Sequence, residues 1–522
     1  MTLIPSYFNL FDYFLGDERL AEIGRLTAIE FRGGRITYDE LRREVDYWAG
    51  YIMACGVGEG DRVAMLLYDS PEFIACFLAT VSIGAVCVPI NTFLPAEDVM
   101  FILSDSGARL VIAEDELEWK TDLSDSTFDD KCSLLTVDTA ARHYLDPKDD
   151  VDSRRSFPAT TEQSPAFLLY TSGSTGAPKG VLHLHGAIPH TVRSYSANVL
   201  RLSAEDRVYS SSRMFFAYGF GNSLSFPLAA GATAILDSER PTPDRIAKLF
   251  EEQRPSVFFG VPAVYRSLLE FQAGGSRLDA SALRMCVSAG EALPARVFED
   301  WRREFGPVIL DGIGSTEMLH IFISNTEGAA RAGSSGRAVE GYEARLLGDD
   351  GREVRGEELG NLWVRGASAT AGYWNRPELT QETVRDGWVR TGDIYRKDGE
   401  GFYYHVGRSD DCFKVRGLWV SPIEVESVLM AHESVVEAAV VSNADENGLA
   451  TVMAYVVIRT DGDAEALKEE LHRFAGSRLP KYKVPSGIEF ITEMPRTSTG
   501  KIQRFKLRAA GRRHRSGGSD DQ

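Results

Sequence analysis

Cysteine is scarce in this sequence and badly spaced for either a disulfide frame or a metal. The six cysteines among 522 residues, Cys55, Cys76, Cys87, Cys132, Cys286 and Cys412, include no C-x-x-C pair. That spacing excludes the usual zinc motifs and points to reduced thiols. Net positive charge is lacking too: 57 Lys+Arg against 76 Asp+Glu leave −19 at pH 7. So acidic a chain has no broad attraction for nucleic acid or for anionic membrane surfaces, and a polyanion would need a local pocket of amides or lysine. The N-terminal segment has no basic start and carries Asp12 before any sustained apolar block, which is unlike a signal peptide. The uncharged run that most resembles a membrane span is Phe73 to Ile90, which reaches the minimum length for one. Its Ser82, Gly84 and Pro89, and its lack of basic flanks, fit a buried helix passing into a buried strand better than a span.

What remains is ordinary for a globular protein, with 43% hydrophobic and 25% charged residues. The length allows several compact units. Short β-branched runs alternate with amphipathic stretches: Arg62 to Leu67 then Pro71 to Ile83, Ala232 to Leu236 then Pro243 to Gln253, Val257 to Phe259 then Pro262 to Phe271, and Met285 to Ser288 then Pro294 to Phe305. That order predicts βα units on mostly parallel sheets, hence one large α/β body. From about Gly341 to Gly407 the texture changes to short strands punctuated by glycine and by turn pairs such as Asp350-Gly351 and Asp398-Gly399, which predicts a β-rich appendage. Beyond Asp410, helices at about Pro422 to Ala431 and Ala464 to Ser477, with the strand-like VEAAVV, TVMAYVVI and IEFI, predict a smaller α+β unit. The expected organisation is therefore residues 1–409, 410–510 and a tail at 511–522.

The strongest local signal is Tyr170 to Val181, YTSGSTGAPKGV, directly after an apolar strand-like run. Thr171, Ser172, Gly173, Ser174, Thr175 and Gly176 form a loop that can aim backbone N–H groups and hydroxyls at phosphate oxygens, with Lys179 adding positive charge. A flexible linker is the plain alternative, because glycine and serine suit linkers. A Walker A loop does not fit: Pro178 precedes Lys179 and Gly180 follows it, where that motif needs Gly-Lys-Ser/Thr.

Four further runs follow in order: DGIGSTE (Asp311 to Glu317), WVRTGD (Trp388 to Asp393), GRSDD (Gly407 to Asp411) and PRTSTGKIQR (Pro495 to Arg504). Together with the loop they resemble the core motifs of the adenylate-forming superfamily of acyl-CoA synthetases, peptide-synthetase adenylation domains and luciferases, over about Thr37 to Arg508. The resemblance implies a large N-terminal AMP-binding domain and a small, mobile C-terminal domain. It also implies two half-reactions: an acid and ATP give acyl-AMP and pyrophosphate, and a thiol then displaces AMP.

The residues suit that chemistry. A carboxylate is already ionised at neutral pH, so the difficulty is electrostatic repulsion from the nucleotide rather than proton removal. Glu317 offers a hard oxygen for Mg²⁺ and Thr316 a hydroxyl for phosphate, as the family's T-E pair implies; alone, Glu317 would be a surface residue at a loop end. By the same resemblance Asp311 belongs to the nucleotide site, Asp393 accepts the ribose hydroxyls, Arg408 meets the ribose, Asp410 is the hinge and Lys501 is the adenylation lysine. A lone T-G-D is otherwise a turn or cap, and a lone lysine a solvated surface group. Gly417 matches a glycine that lets a pantetheine arm pass close to backbone. Lys414, Arg416 and Lys481 are candidate coenzyme A contacts, with a solvated positive face as the alternative.

The stretch from Ser212 to Asp244, with Asp311 to Asn325, is similar to the benzoate-CoA ligase branch. On that resemblance Phe216 stands at the gate, and Ala217, Tyr218, Gly312, His320 and Ile321 line the acid pocket; without it, aromatic residues in FFAYGF read as plain core. Arg416 and Trp419 depart from that branch in bulk or charge. His183 and His185 read as structural.

The expected protein is a cytoplasmic, AMP-forming acid–thiol ligase for benzoate or a small substituted benzoate. Its substrates are ATP and coenzyme A, its metal is Mg²⁺, it has no nucleic-acid or membrane partner, and it is a monomer or homodimer. An aryl acid adenylating enzyme that loads a carrier-protein phosphopantetheine is the nearest alternative. A non-catalytic ligand sensor on the same fold, and a P-loop kinase, are the more distant ones.

Overall fold

A computed structural model describes residues 7–121, 132–137, 159–171, 177–444, 449–459, 464–496 and 502–509. By its contacts the chain forms two compact units, one of residues 1–344 with 363–390 and the other of 345–362 with 391–522.

The first unit holds two large sheets. In the nine-stranded sheet the order is Arg337–Ala338, Ile321–Ser324, Ile309–Gly314, Met285–Ser288, Val257–Gly260, Arg207–Ser210, Thr233–Leu236, Thr27–Phe31 and Gly34–Thr37. Its interior pairs are parallel and its edges antiparallel. The expected βα units are present: Thr233–Leu236 leads to the helix Pro243–Gln253, Val257–Gly260 to Pro262–Ala273, and Met285–Ser288 to Ala295–Phe305. Proline at the start of the first two costs nothing, because the first helical N–H groups have no partner in the helix.

The seven-stranded sheet runs Gly372–Tyr373, Lys179–Leu184, Pro165–Thr171, Val86–Pro89, Arg62–Leu66, Leu110–Glu114 and Ser133–Val137. The apolar run Phe73 to Ile90 is here the helix Pro71–Ser82, buried along its whole length, followed by the wholly buried strand Val86–Pro89. No helix among the described residues is long and apolar enough to cross a membrane. Phe77 packs edge-on against Phe167 and Phe220, with ring centroids 5.7 and 4.9 Å away, so this helix belongs to the core that also holds Ala217, Phe220 and Leu224.

In the second unit the strands Val435–Ala444 and Ala450–Ile458 pair antiparallel, and Gly487–Phe490 joins the latter in parallel. Helices Pro422–Met430 and Ala464–Gly476 contribute Val425, Leu429, Leu471 and Ala475 to its core. The expected tail at 511–522 lies outside the described residues.

Candidate active site

In an open parallel sheet, ligands bind beyond the carboxyl ends of the strands where successive connections turn opposite ways. Here the connection from Arg207–Ser210 goes to its neighbour Thr233–Leu236, whereas that from Val257–Gly260 goes the other way to Met285–Ser288. The segment after Ser210 carries Phe216, Ala217 and Tyr218 and forms a helix over residues 217–230 with a π-helical turn at Gly221–Ser225. The Tyr218 hydroxyl donates to Gly260 O at 3.3 Å or Val287 O at 3.2 Å, the carboxyl ends of two of those strands. Tyr218 is thereby fixed with its hydroxyl turned into the sheet, and burial raises its phenol well above the ordinary range.

His320 lies 3% exposed against this helix. Its ring centroid is 5.6 Å from that of Tyr218, 5.4 Å from Tyr195 and 4.5 Å from Phe226. Nε2 sits 3.1 Å from Asn222 Oδ1, and Asn222 Nδ2 donates to Ser210 Oγ at 3.3 Å. Burial lowers the imidazole to about 3, so it is neutral at pH 7. Glycine is required at 221, where a Cβ would stand 2.2 Å from His320 Cδ2. Gly312 is likewise tight: a Cβ there would meet Ile323 O at 2.9 Å and Ile321 Cγ2 at 3.0 Å. The structure thus joins Tyr218 to His320 and Gly312 to Ile321. Phe216, at the N-terminal end of the pocket helix, packs edge-on against Phe215 with centroids 4.7 Å apart.

The segment expected to bind phosphate begins and ends on paired strands: Pro165–Thr171 and Lys179–Leu184 run antiparallel, Thr171 opposite Lys179 and Tyr170 opposite Gly180. Ser172, Gly173, Ser174, Thr175 and Gly176 lie outside the described residues. The short turn Thr316–Met318 follows the strand Ile309–Gly314, capped by the Ser315 side chain. It is tied to the strand Lys179–Leu184: His183 Nε2 donates to Thr316 O at 2.8 Å, and Thr370, whose hydroxyl donates to Leu182 O, sends its N–H to Glu317 O at 2.7 Å. The Tyr373 hydroxyl donates to Glu317 Oε1 at 2.7 Å. His183 is fully buried, and burial lowers its imidazole to about 4 in spite of that bond.

Asp311 is 5% exposed, and burial raises its carboxyl well above the usual range. Its Oδ1 has no hydrogen-bond partner among the described residues, a buried acceptor suited to a ligand N–H donor. The partly exposed Glu317 carboxylate is a hard oxygen ligand of the kind Mg²⁺ takes. No group of three or more His, Cys, Asp or Glu among the described residues could hold a metal ion. One carboxylate, with nucleotide phosphates and waters completing the shell, fits Mg²⁺, which is seldom held in an all-protein cage.

In the second unit Asp393 and Arg408 face each other across the antiparallel ladder of the strands that contain them. Arg408 Nη1 donates to Asp393 Oδ1 at 3.2 Å and to Thr391 O at 2.8 Å. His405 Nε2 lies 3.4 Å from the same Oδ1. Burial works to raise the Asp393 carboxyl, but contact with His405 and the charge of Arg408 outweigh it and hold the group below the usual carboxylate range. Asp410 lies in the turn that follows the strand Tyr403–Arg408.

Arg416 and Gly417 join the paired strands Phe413–Val415 and Leu418–Val420 with φ of 52° and 81°. Positive φ at both central residues is the I′ hairpin turn, which favours glycine at 417 for conformational reasons. A Cβ on Gly417 would have nothing within 4 Å, so the space above it is open. Lys414 is 3.5 Å from Asp349 and lies over the Trp419 ring at 4.6 Å; Lys481 is exposed. Lys501 lies outside the described residues, although its flanks Arg496 and Ile502 form an antiparallel bridge.

Sequence reasoning missed Asn222, Tyr373 and His405. Tyr373 sits in the run Gly372-Tyr373-Trp374, which core packing explains equally well from sequence, and neither Asn222 nor His405 carries a local signal.

A hydroxyl- and glycine-rich run set between two paired strands, a T-E turn tied to the second of them and a buried aromatic cluster at the sheet's switch point, on a large α/β unit followed by a smaller one, define an adenylate-forming enzyme. The chain belongs to the AMP-binding enzyme family: residues 17–374 match the AMP-binding enzyme model and residues 424–501 its C-terminal domain. It is 42% identical over 511 residues to the benzoate–CoA ligase of Thauera aromatica, covering 97% of each chain. It is 37% identical to the 4-hydroxybenzoate–CoA/benzoate–CoA ligase of Rhodopseudomonas palustris, covering 92% of this chain and 91% of that one. Among solved structures, the anthranilate CoA ligase AuaEII in complex with anthranoyl-AMP superposes with a TM-score of 0.90 at 34% identity, over 98% of this chain and 99% of that one. The benzoate CoA ligase from Burkholderia xenovorans LB400 gives 0.85 at 39% identity, over 96% and 100%.

Proposed function

We infer that this protein is an AMP-forming benzoate–CoA ligase: it joins benzoate, or a small ring-substituted benzoate, to coenzyme A at the expense of ATP. The observation that carries this is the likeness to the Thauera aromatica benzoate–CoA ligase along 97% of both chains, which spans pocket and small domain alike. The pocket is compatible with a flat apolar ring, because Tyr218 turns its hydroxyl into the sheet and His320 turns Nε2 to Asn222. Aromatic faces and small residues then make the walls.

The acid's carboxylate attacks the α-phosphorus of ATP, giving acyl-AMP and releasing pyrophosphate. The thiolate of coenzyme A then attacks the acyl carbon, forming the thioester and releasing AMP. Thr171, the loop Ser172 to Gly176, Lys179 and the Thr316 hydroxyl hold phosphate oxygens. Glu317 holds Mg²⁺, which when bound supplies neutralising charge for those oxygens. Asp311 accepts from a nucleotide N–H group, and Asp393 with Arg408 holds the ribose. Lys501 bridges carboxylate and α-phosphate during the first step. The hinge is Asp410, between residues 1–409 and 410–510, and its position in a turn between strands suits a residue that must absorb a backbone rotation. Phe216 gates the thiol's entry, and Gly417 leaves open space beside the backbone for the pantetheine arm. We place the enzyme in the cytoplasm, because its six unpaired cysteines suit a reducing compartment.

Carrier-protein loading is the less favoured reading. The chain spans only 62% of the Mycobacterium tuberculosis p-hydroxybenzoic acid–AMP ligases, against 97% of the Thauera aromatica CoA ligase. The deciding experiment measures acid-dependent ATP–pyrophosphate exchange across benzoates, cinnamates and aliphatic acids, then adds coenzyme A without any carrier protein. Exchange confined to small aromatic acids, followed by aroyl-CoA, is expected. Aroyl-AMP that persists until a carrier is supplied would favour the alternative.

A further inference from the structure

The T-E turn is only three residues long, and a glutamate side chain on so short a turn has several rotamers open to it. Among the described residues one side-chain hydrogen bond restricts it. The Tyr373 hydroxyl donates to Glu317 Oε1 at 2.7 Å, a charge-assisted bond that selects one carboxylate orientation. Tyr373 is itself held from several sides. Gly372 and Tyr373 pair with Leu182 and Val181 at the edge of the seven-stranded sheet. The Tyr373 N–H donates to Thr380 Oγ1 at 2.9 Å, and the next N–H, of Trp374, donates to Gly180 O at 2.7 Å. The strand it docks on is Lys179–Leu184, whose first residue, Lys179, pairs with Thr171.

This geometry links two parts that must bind one nucleotide together. We propose that Tyr373 is a positioning residue for the divalent cation: from the strand Gly372–Tyr373 its phenol fixes one oxygen of Glu317, so that the carboxylate is presented to the nucleotide-bound metal in a set orientation. The proposal rests on Glu317 being the metal ligand. Hydrogen-bond partners of metal-binding carboxylates set metal affinity in this way, and their loss weakens binding roughly 10- to 100-fold.

The test titrates Mn²⁺ into enzyme saturated with a non-hydrolysable ATP analogue and follows free Mn²⁺ by electron paramagnetic resonance. Tyr373→Phe keeps the ring and removes only the donor. Its Mn²⁺ affinity is expected to fall roughly 10- to 100-fold with an unchanged thermal midpoint, and half-saturating Mg²⁺ in pyrophosphate exchange should rise in parallel while the rate at saturating Mg²⁺ is kept. In a Glu317→Gln background the same change should add nothing. Equal Mn²⁺ affinity in wild type and Tyr373→Phe overturns the proposal, and so does an undiminished affinity in Glu317→Gln, which removes the ligand it depends on. Metal binding that behaves as expected in a protein showing no exchange with any aromatic acid upholds the role of Tyr373 and rejects the acid assignment instead.

Discussion

Arg408 donates to Asp393 from the residue directly opposite it on the neighbouring antiparallel strand, 3.2 Å from Nη1 to Oδ1. The arginine and His405 hold the carboxyl ionised against its burial. Asp393→Asn keeps the shape and loses the charge. Hydrogen bonds to charged groups contribute about 1.5–3 kcal/mol, so AMP affinity by calorimetry should fall roughly 10- to 150-fold. A depressed folded-state pKa means the carboxylate is lost only as pH falls below the ordinary range near ~4. The ratio of wild-type to variant affinity should therefore stay constant from pH 7 to pH 5; a ratio already shrinking at pH 6 would contradict a depressed carboxyl.

Lys501→Ala separates the half-reactions. Loss of a preorganised charge at the developing phosphate centre costs roughly 10²- to 10³-fold, and that loss should fall on pyrophosphate exchange. Thioester formation from supplied benzoyl-AMP should suffer far less. Equal losses in both steps would reject the adenylation role.

The pocket predicts a split between acid and nucleotide. A Cβ at residue 221 would overlap His320 Cδ2 and Nε2, at 2.2 and 2.6 Å. Gly221→Ala should push the imidazole off Asn222 and raise KM for benzoate with little change in KM for ATP. Ala217→Leu should favour the smallest acids over ring-substituted ones. Unchanged selectivity in Ala217→Leu and in His320→Ala would remove these residues from the acid pocket.

Four buried histidines, His183, His185, His190 and His320, give the first unit a pH-dependent contribution to its stability, each being lowered by burial. Burial lowers His183 and His185 to about 4 and His320 to about 3. In the unfolded chain each titrates near ~6.5, so between that value and the folded pKa the unfolded state binds more protons. The histidines' contribution to stability is therefore complete above about pH 6.5 and falls as pH drops, each adding a slope of up to about 1.4 kcal/mol per pH unit, while the raised carboxyls of Asp69 and Asp311 act in the opposite sense. Urea unfolding from pH 7 to pH 5 should show this contribution as a difference between wild type and His183→Gln that shrinks as pH falls. A slope unaffected by that change would mean that His183 is not held neutral.

Much of the architecture was legible because its causes are local. Apolar periodicity marked Pro71–Ser82, Pro243–Gln253 and Pro262–Ala273 to within a few residues. The family's motifs were legible because each is built from consecutive residues. Arg416 illustrates the limit. Its bulk and charge were visible, whereas its left-handed φ of 52° follows only from the two-residue turn it occupies.

The sequence by itself determined the βα order, the burial of the run Phe73 to Ile90 and the motifs that place the chain among adenylate-forming enzymes, since each depends on neighbours along the chain. Tertiary structure alone decided which side chains orient those motifs. Tyr373 meets Glu317 across 56 residues, His320 meets Asn222 across 98, and His183 meets Thr316 across 133. A hydrogen bond depends on atoms within about 3 Å of each other in space, and no pattern along the chain encodes that approach until the sheets have formed.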